Sequence, residues 1–127
     1  MDKVTSLTAI ILTYNEEIHL ERCLNSLKDI CKDIVIVDSY SKDNTKAIAN
    51  KFGVRFYENK WINHATQFNW AIQNTEIQTD WVIRVDADEY IDEELQNSLL
   101  NKLPTFNKDV IGLRIKRMMY FIGKPLK

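Results

Sequence analysis

Glycine is scarce in this chain: its 127 residues include only three, and no Gly-x-Gly turn occurs. That excludes the glycine-rich loop that lays a helix N-terminus against a dinucleotide. The polar segment after the first apolar run is Tyr14-Asn15-Glu16-Glu17, so the basic, glycine-rich phosphate loop expected of a nucleotidyltransferase is missing too. Cysteine is equally sparse. Cys23 and Cys31 lack a metal-binding spacing and read as buried thiols of a reducing compartment. The two histidines, His19 and His64, fall on different segments and are not spaced as a ligand pair. There is no excess of positive charge: the formal net charge is -1, which removes the electrostatic case for general nucleic-acid binding. No apolar run is long enough to span a membrane, and residues 1–8 do not resemble a signal peptide. The expected location is cytoplasmic, with contact at the inner face of the membrane as a secondary expectation.

What remains is an ordinary globular composition, 45% hydrophobic and 28% charged, in a length that suits one domain over residues 1–127. Residues 7–13, Leu-Thr-Ala-Ile-Ile-Leu-Thr, form a continuous β-prone run that ends at a polar turn. Ile18, Leu20, Leu24, Leu27 and Ile30 follow at helical spacing, with Cys23 and Cys31 on the same apolar side. Residues 33–38 are a second buried strand, ending in Asp38. The turn-forming segment 39–44 then leads into a helix that closes at Gly53, a left-handed cap. A short strand over 54–57 and a helix over 64–74 come next. Alternating strands and helices predict an α/β fold with a mostly parallel sheet and helices on both faces. The polar ends of the strands then gather along one edge.

The most informative stretch is residues 81–89, Trp-Val-Ile-Arg-Val-Asp-Ala-Asp-Glu. It reads as a buried strand that delivers carboxylates at its carboxyl end, where ligands bind in open α/β sheets. Two acids so close repel unless a cation lies between them. A hard divalent ion shared with a diphosphate would serve. The competing reading is that the acids cap a helix over 94–102. Beyond Pro104, residues 109–115 read as a last strand. The basic and apolar tail, residues 116–127, reads either as a self-associating or membrane-facing segment or as one more strand, with Met118, Tyr120 and Ile122 alternating.

Four ordered pieces carry a resemblance that covers essentially the whole chain: residues 12–17, residues 36–45, Gln67-Phe68-Asn69-Trp70-Ala71, and residues 80–89. Together they resemble family 2 glycosyltransferases of the GT-A fold, in particular the branch that builds lipopolysaccharide core. The resemblance implies a nucleotide-sugar donor, a UDP-sugar being the leading candidate, with Mg2+ or Mn2+ as cofactor. It assigns Thr13, Tyr14, Asn15, Glu16 and Asp38 to the base and ribose, and Gln67 to a position near the diphosphate or sugar. In the Asp-x-Asp motif it gives Asp86 to the ribose and Asp88 to the metal. The implied reaction is transfer with inversion to a cell-surface glycan, lipopolysaccharide or lipid-linked acceptor. Family members run longer, and their later half carries the catalytic base, for which no residue here is assigned. The chain is therefore expected to be the donor-binding half of such an enzyme, truncated before the acceptor half. The alternatives are a non-catalytic nucleotide-sugar-binding module and, more distantly, a nucleotidyltransferase.

Overall fold

A computed structural model describes residues 5–79, 81–88, 90, 91, 93, 94, 97, 111–115 and 119–123. The elements run β1 (Thr5–Thr13), α1 (Leu20–Leu27), β2 (Cys31–Asp38), α2 (Thr45–Phe52), β3 (Arg55–Glu58), α3 (His64–Asn74), β4 (Trp81–Asp86), β5 (Ile111–Ile115) and β6 (Met119–Gly123). The strands form one sheet in the order β3-β2-β1-β4-β6-β5. β3, β2, β1 and β4 are parallel, and β6 runs antiparallel between β4 and β5. This is the expected mostly parallel α/β architecture.

Alternation along the strands sorts the core into two layers. Leu7, Ala9 and Ile11 of β1, Ile34 and Ile36 of β2, and Ile83 and Val85 of β4 pack with Leu20, Leu24, Leu27 and Ala49 of α1 and α2. On the other face, Ile10, Leu12, Val35, Val37 and Val82 meet Phe68, Ala71 and Ile72 of α3. Covered on both faces, the central strands have no polar side to show, hence their near-continuous apolar sequence.

Several boundaries differ from those expected. Ile18 is 83% exposed and lies in the turn before α1 rather than on its buried stripe. Cys31 opens β2 instead of closing the helix. α2 ends at Gly53, whose φ of 70° is the left-handed cap foreseen. The tail reading is resolved for residues 119–123, which form the inserted strand β6. The helix expected over 94–102, and residues 109 and 110 of the last strand, lie largely outside the described residues.

Sheet order places the reversal of strand progression between β1 and β4. A crevice opens at such a point, at the carboxyl ends of the strands. Register brings Thr13 opposite Asp38 and Leu12 opposite Asp86. The polar ends of β1, β2 and β4 therefore meet.

Candidate functional site

Three loops build the site, and two are fastened to each other. Residues 14–19, after β1, lie against residues 39–44, after β2. Asn15 N donates to Ser41 Oγ at 2.7 Å, and Asn15 Oδ1 accepts from Lys42 N at 2.8 Å. Glu16 N donates to Thr45 Oγ1 at 2.8 Å, Glu17 N to Asp43 Oδ2 at 3.2 Å, and Asn44 N to Glu17 Oε1 at 3.0 Å. Asn15 and Tyr40 take left-handed φ values of 52° and 61°, a conformation easier for Asn than for Tyr. The clasp holds them there.

Asp38 is the buried centre of this clasp. Its carboxylate is 1% exposed and accepts from Thr13 Oγ1 (2.6 Å), Ser41 N (2.6 Å) and Ser41 Oγ (2.5 Å). Three of its roughly four acceptor positions are thus used within the protein. Asp43, one residue before the N-cap of α2, accepts from Thr45 N and Thr45 Oγ1 at 2.9 and 2.5 Å. Desolvation opposes its ionisation, but the bonds from Thr45 and Glu17 outweigh that and hold its carboxyl below the ordinary carboxylate value.

A cavity of about 350 Å³ opens beside the clasp. Its walls are Leu12, Thr13, Tyr14 and Glu16 from β1 and the turn after it, Ser39 from the end of β2, and Trp61 and His64 at the entry to α3. Trp61 stands edge-on to His64 at 4.8 Å between centroids. Asn63 caps α3 by accepting from Thr66 N at 2.8 Å. The walls are mostly apolar, with Tyr14 and Trp61 half-exposed, which suits a flat ring more than a solvated chain.

Of the expected site residues, Thr13, Tyr14 and Glu16 line this cavity, while Asn15, Asp38, Gln67, Asp86 and Asp88 do not. Gln67 is 1% exposed. Its Oε1 accepts from Asn59 Nδ2 at 2.9 Å, and its Nε2 donates to Asn59 O at 3.1 Å and Ser39 Oγ at 3.2 Å. It thus ties α3 to the strand ends from behind the wall. Asp86 is half-buried and Asp88 exposed. The turn that carries them is held by α1: Arg22 Nη2 reaches Asp88 O at 3.4 Å, Cys23 Sγ lies 3.9 Å from Asp86 O, and Ser26 Oγ accepts from Ile91 N at 3.0 Å. The Arg22 guanidinium also sits 4.6 Å over the Tyr90 ring.

Leu12, Ser39, Trp61 and His64 are the wall residues to which the motifs gave no role, although Trp61 sits in a loop before a helix, a placement that invites stacking. Arg55 was missed altogether. It grips Asp33 through Nε (3.3 Å) and Nη2 (2.5 Å), and it binds the carbonyl oxygens of Thr75 and Glu76 at the end of α3. This is a clamp at the opposite edge of the sheet, not part of the site.

Among the described wall residues Glu16 is the one carboxylate, and Asp86 and Asp88 lie next to that wall at the end of β4; an anionic diphosphate there would be repelled without a cation. Among the described residues there is no group of three His, Cys, Asp or Glu side chains that could hold a metal by themselves. The donors at the end of β4 are carboxylate oxygens, which suit a hard ion that keeps waters and takes its remaining ligands from phosphates, as Mg2+ does. No helix among the described residues is long and apolar enough to cross a membrane.

The family described as Glycosyl transferase family 2 matches residues 8–121. The lipopolysaccharide core biosynthesis glycosyltransferase LpsC of Rhizobium meliloti (strain 1021) is 35% identical over 122 residues, 92% of this chain and 44% of that protein. An uncharacterized glycosyltransferase of Rickettsia bellii (strain RML369-C) is 34% identical over 103 residues, 81% of this chain and 34% of that protein. The chain therefore spans less than half the length of these relatives. Among solved structures, the mannosyltransferase PcManGT of Pyrobaculum calidifontis, in complex with GDP-Man and Mn2+, superposes with a TM-score of 0.75 at 18% identity, over 93% of this chain and 44% of that one. Glucosyl-3-phosphoglycerate synthase of Mycobacterium tuberculosis with uridine-diphosphate gives 0.66 at 17% identity, over 85% of this chain and 43% of that one.

Proposed function

The chain belongs to glycosyl transferase family 2 and has the GT-A fold, and from that premise we propose that it is the donor-binding part of a metal-dependent glycosyltransferase. The observation that carries this reading is the register of the strand ends. It sets an apolar, aromatic-walled cavity between Thr13 and Ser39, and it brings the carboxylate-bearing end of β4 alongside Leu12 of that wall.

Tyr14 and Trp61 cover the faces of the nucleoside base, and Thr13 and Glu16 offer oxygen atoms to its edge or to the ribose. Asp38 serves the same site indirectly, by keeping Thr13 and Ser41 in place. Asp88 would hold Mg2+ or Mn2+ against the donor diphosphate, with Asp86 turned to the ribose, and the cation would offset charge on the leaving nucleoside diphosphate. Arg22 and Ser26 fix the main chain of that acidic turn, so its carboxylates need little reorganisation on binding. A UDP-sugar is the leading donor. The proposed reaction is displacement at the anomeric carbon with inversion, onto a surface-glycan, lipopolysaccharide or lipid-linked acceptor; the name of the Rhizobium relative, a lipopolysaccharide core biosynthesis glycosyltransferase, supports the lipopolysaccharide choice.

Calorimetry of UDP with Mn2+ and with EDTA tests the reading. Affinity should rise with Mn2+, and Asp88→Asn should remove that gain while leaving the melting temperature unchanged, because the side chain is exposed. Equal affinity in EDTA would exclude the metal site. Sugar transfer by a longer parent, set beside donor binding by this chain, separates an enzyme from a module that only binds.

A further inference from the structure

We propose that Ser39 is the hydrogen-bond donor with which the cavity reads a ring carbonyl of the nucleoside base, and that Gln67 is the positioning residue that sets its direction. The proposal rests on the nucleotide reading above and goes beyond it in naming the polarity of one wall residue.

The buried amide of Gln67 has a fixed orientation. Gln67 Oε1 faces Asn59 Nδ2, and Gln67 Nε2 faces the main-chain oxygen of Asn59. Reversing the amide would set oxygen against oxygen and N–H against N–H, so only one orientation satisfies both neighbours. Asn59 is itself fixed, since its N donates to Asp38 O at 2.9 Å. The second proton of Gln67 Nε2 therefore points at Ser39 Oγ, 3.2 Å away, and that hydroxyl must accept. Its own proton is left over. Among the described residues Ser39 Oγ has no other hydrogen-bond partner, and Ser39 lines the cavity. Its main chain is tied down by a 3.0 Å bond from its N to Thr13 O. A hydroxyl that accepts from behind and is held in place presents a donor in front, so it favours a ligand acceptor. The apolar and aromatic walls beside it suit a flat ring, and the acceptor that such a ring carries on its edge is a carbonyl oxygen.

The test is the affinity of UDP by calorimetry, and of uridine by competition against UDP, for the parent chain and its variants. Ser39→Ala should weaken both ligands by the same factor, about two- to twelvefold, the range of one neutral hydrogen bond. Ser39→Thr, which keeps the hydroxyl, should restore most of the loss. Gln67→Glu replaces the donor with an acceptor, so that Ser39 turns its proton away from the cavity. It should weaken uridine in the parent background and have no further effect in the Ser39→Ala background. A purely structural Gln67 would weaken both backgrounds equally. If Gln67→Glu does not fold, the Ala and Thr variants at position 39 decide alone. Unchanged uridine affinity in Ser39→Ala overturns the proposal, as does a loss confined to UDP, which would place the contact on phosphate. A parent chain that binds neither UDP nor uridine overturns the nucleotide reading and this proposal with it.

Discussion

Replacing Asp38 with alanine should unfold the site before it weakens any ligand. The carboxylate accepts three hydrogen bonds while 1% exposed. Bonds to a charged acceptor contribute about 1.5–3 kcal/mol each. They do not simply add: water can replace the acceptor for half-exposed Ser41, whereas Thr13, at 4% exposure, is left with little to donate to. Without the lock on Ser41, Tyr40 is also freed from its left-handed φ of 61°, and that relief recovers about 1–2 kcal/mol. The net expected loss is about 2–4 kcal/mol, a large share of a typical domain's stability of about 5–15 kcal/mol. Urea unfolding followed by circular dichroism should show the midpoint falling by about 1–3 M with the slope unchanged. Asp38→Asn keeps one acceptor oxygen and should lose about half as much. A change within about 0.5 kcal/mol, the range of an ordinary surface substitution, together with lost uridine binding, would refute the reasoning and make Asp38 a direct ligand contact.

Asp43, whose carboxyl lies below its ordinary value in the folded chain, stabilises the fold fully above its unfolded pKa of about 3.9 and less as pH falls through the lower folded value. The melting-temperature gap between the parent and Asp43→Asn should therefore hold from neutral pH to about pH 5 and narrow below about pH 4; a gap that widens on acidification contradicts the assignment. Arg55→Met removes the grip on Asp33 and on the end of α3. Because the pair is about a third exposed, the cost should be about 1–2 kcal/mol in chemical denaturation, with UDP affinity untouched. Ser26→Ala removes the bond that Ser26 Oγ accepts from Ile91 N and should lower the Mn2+-dependent part of UDP affinity while sparing binding in EDTA; an equal loss in both would mean that this bond does not set the acidic turn.

How much of this was legible in the sequence depends on whether a residue's role is local. The β4 run, its terminal acids and the Gly53 cap announce themselves through apolar content and turn chemistry, and each lies where expected. Ile18 misled because its spacing matches the apolar stripe of α1. The N–H groups of Glu16 and Glu17 are instead claimed by Thr45 and Asp43 across the clasp, so the helix starts later, and no local pattern records that. Gln67 carried a readable signal: it stands beside Phe68 and one turn before Ala71, on the face that packs against the sheet, so its burial followed from helical spacing. The pairing of Arg55 with Asp33, or of Ser39 with Gln67, depends on strand register and loop path, which opposite charges and polar residues in one sequence do not specify.

The two buried cysteines give this domain a clock. Cys31 is held in the thiol form because burial, with the neighbouring Cys23 and Asp33, pushes its pKa far up, and Cys23 has no exposed surface. Since the thiolate is the species that attacks a disulfide reagent, neither sulfur should react with one until the structure opens. Cys23 sits on α1 against the carbonyl of Asp86, so its labelling requires the helix to lift away from the acidic turn. The rate of Cys23 modification then counts openings of that helix, and any ligand anchored at the end of β4 should slow the count in proportion to how tightly it binds.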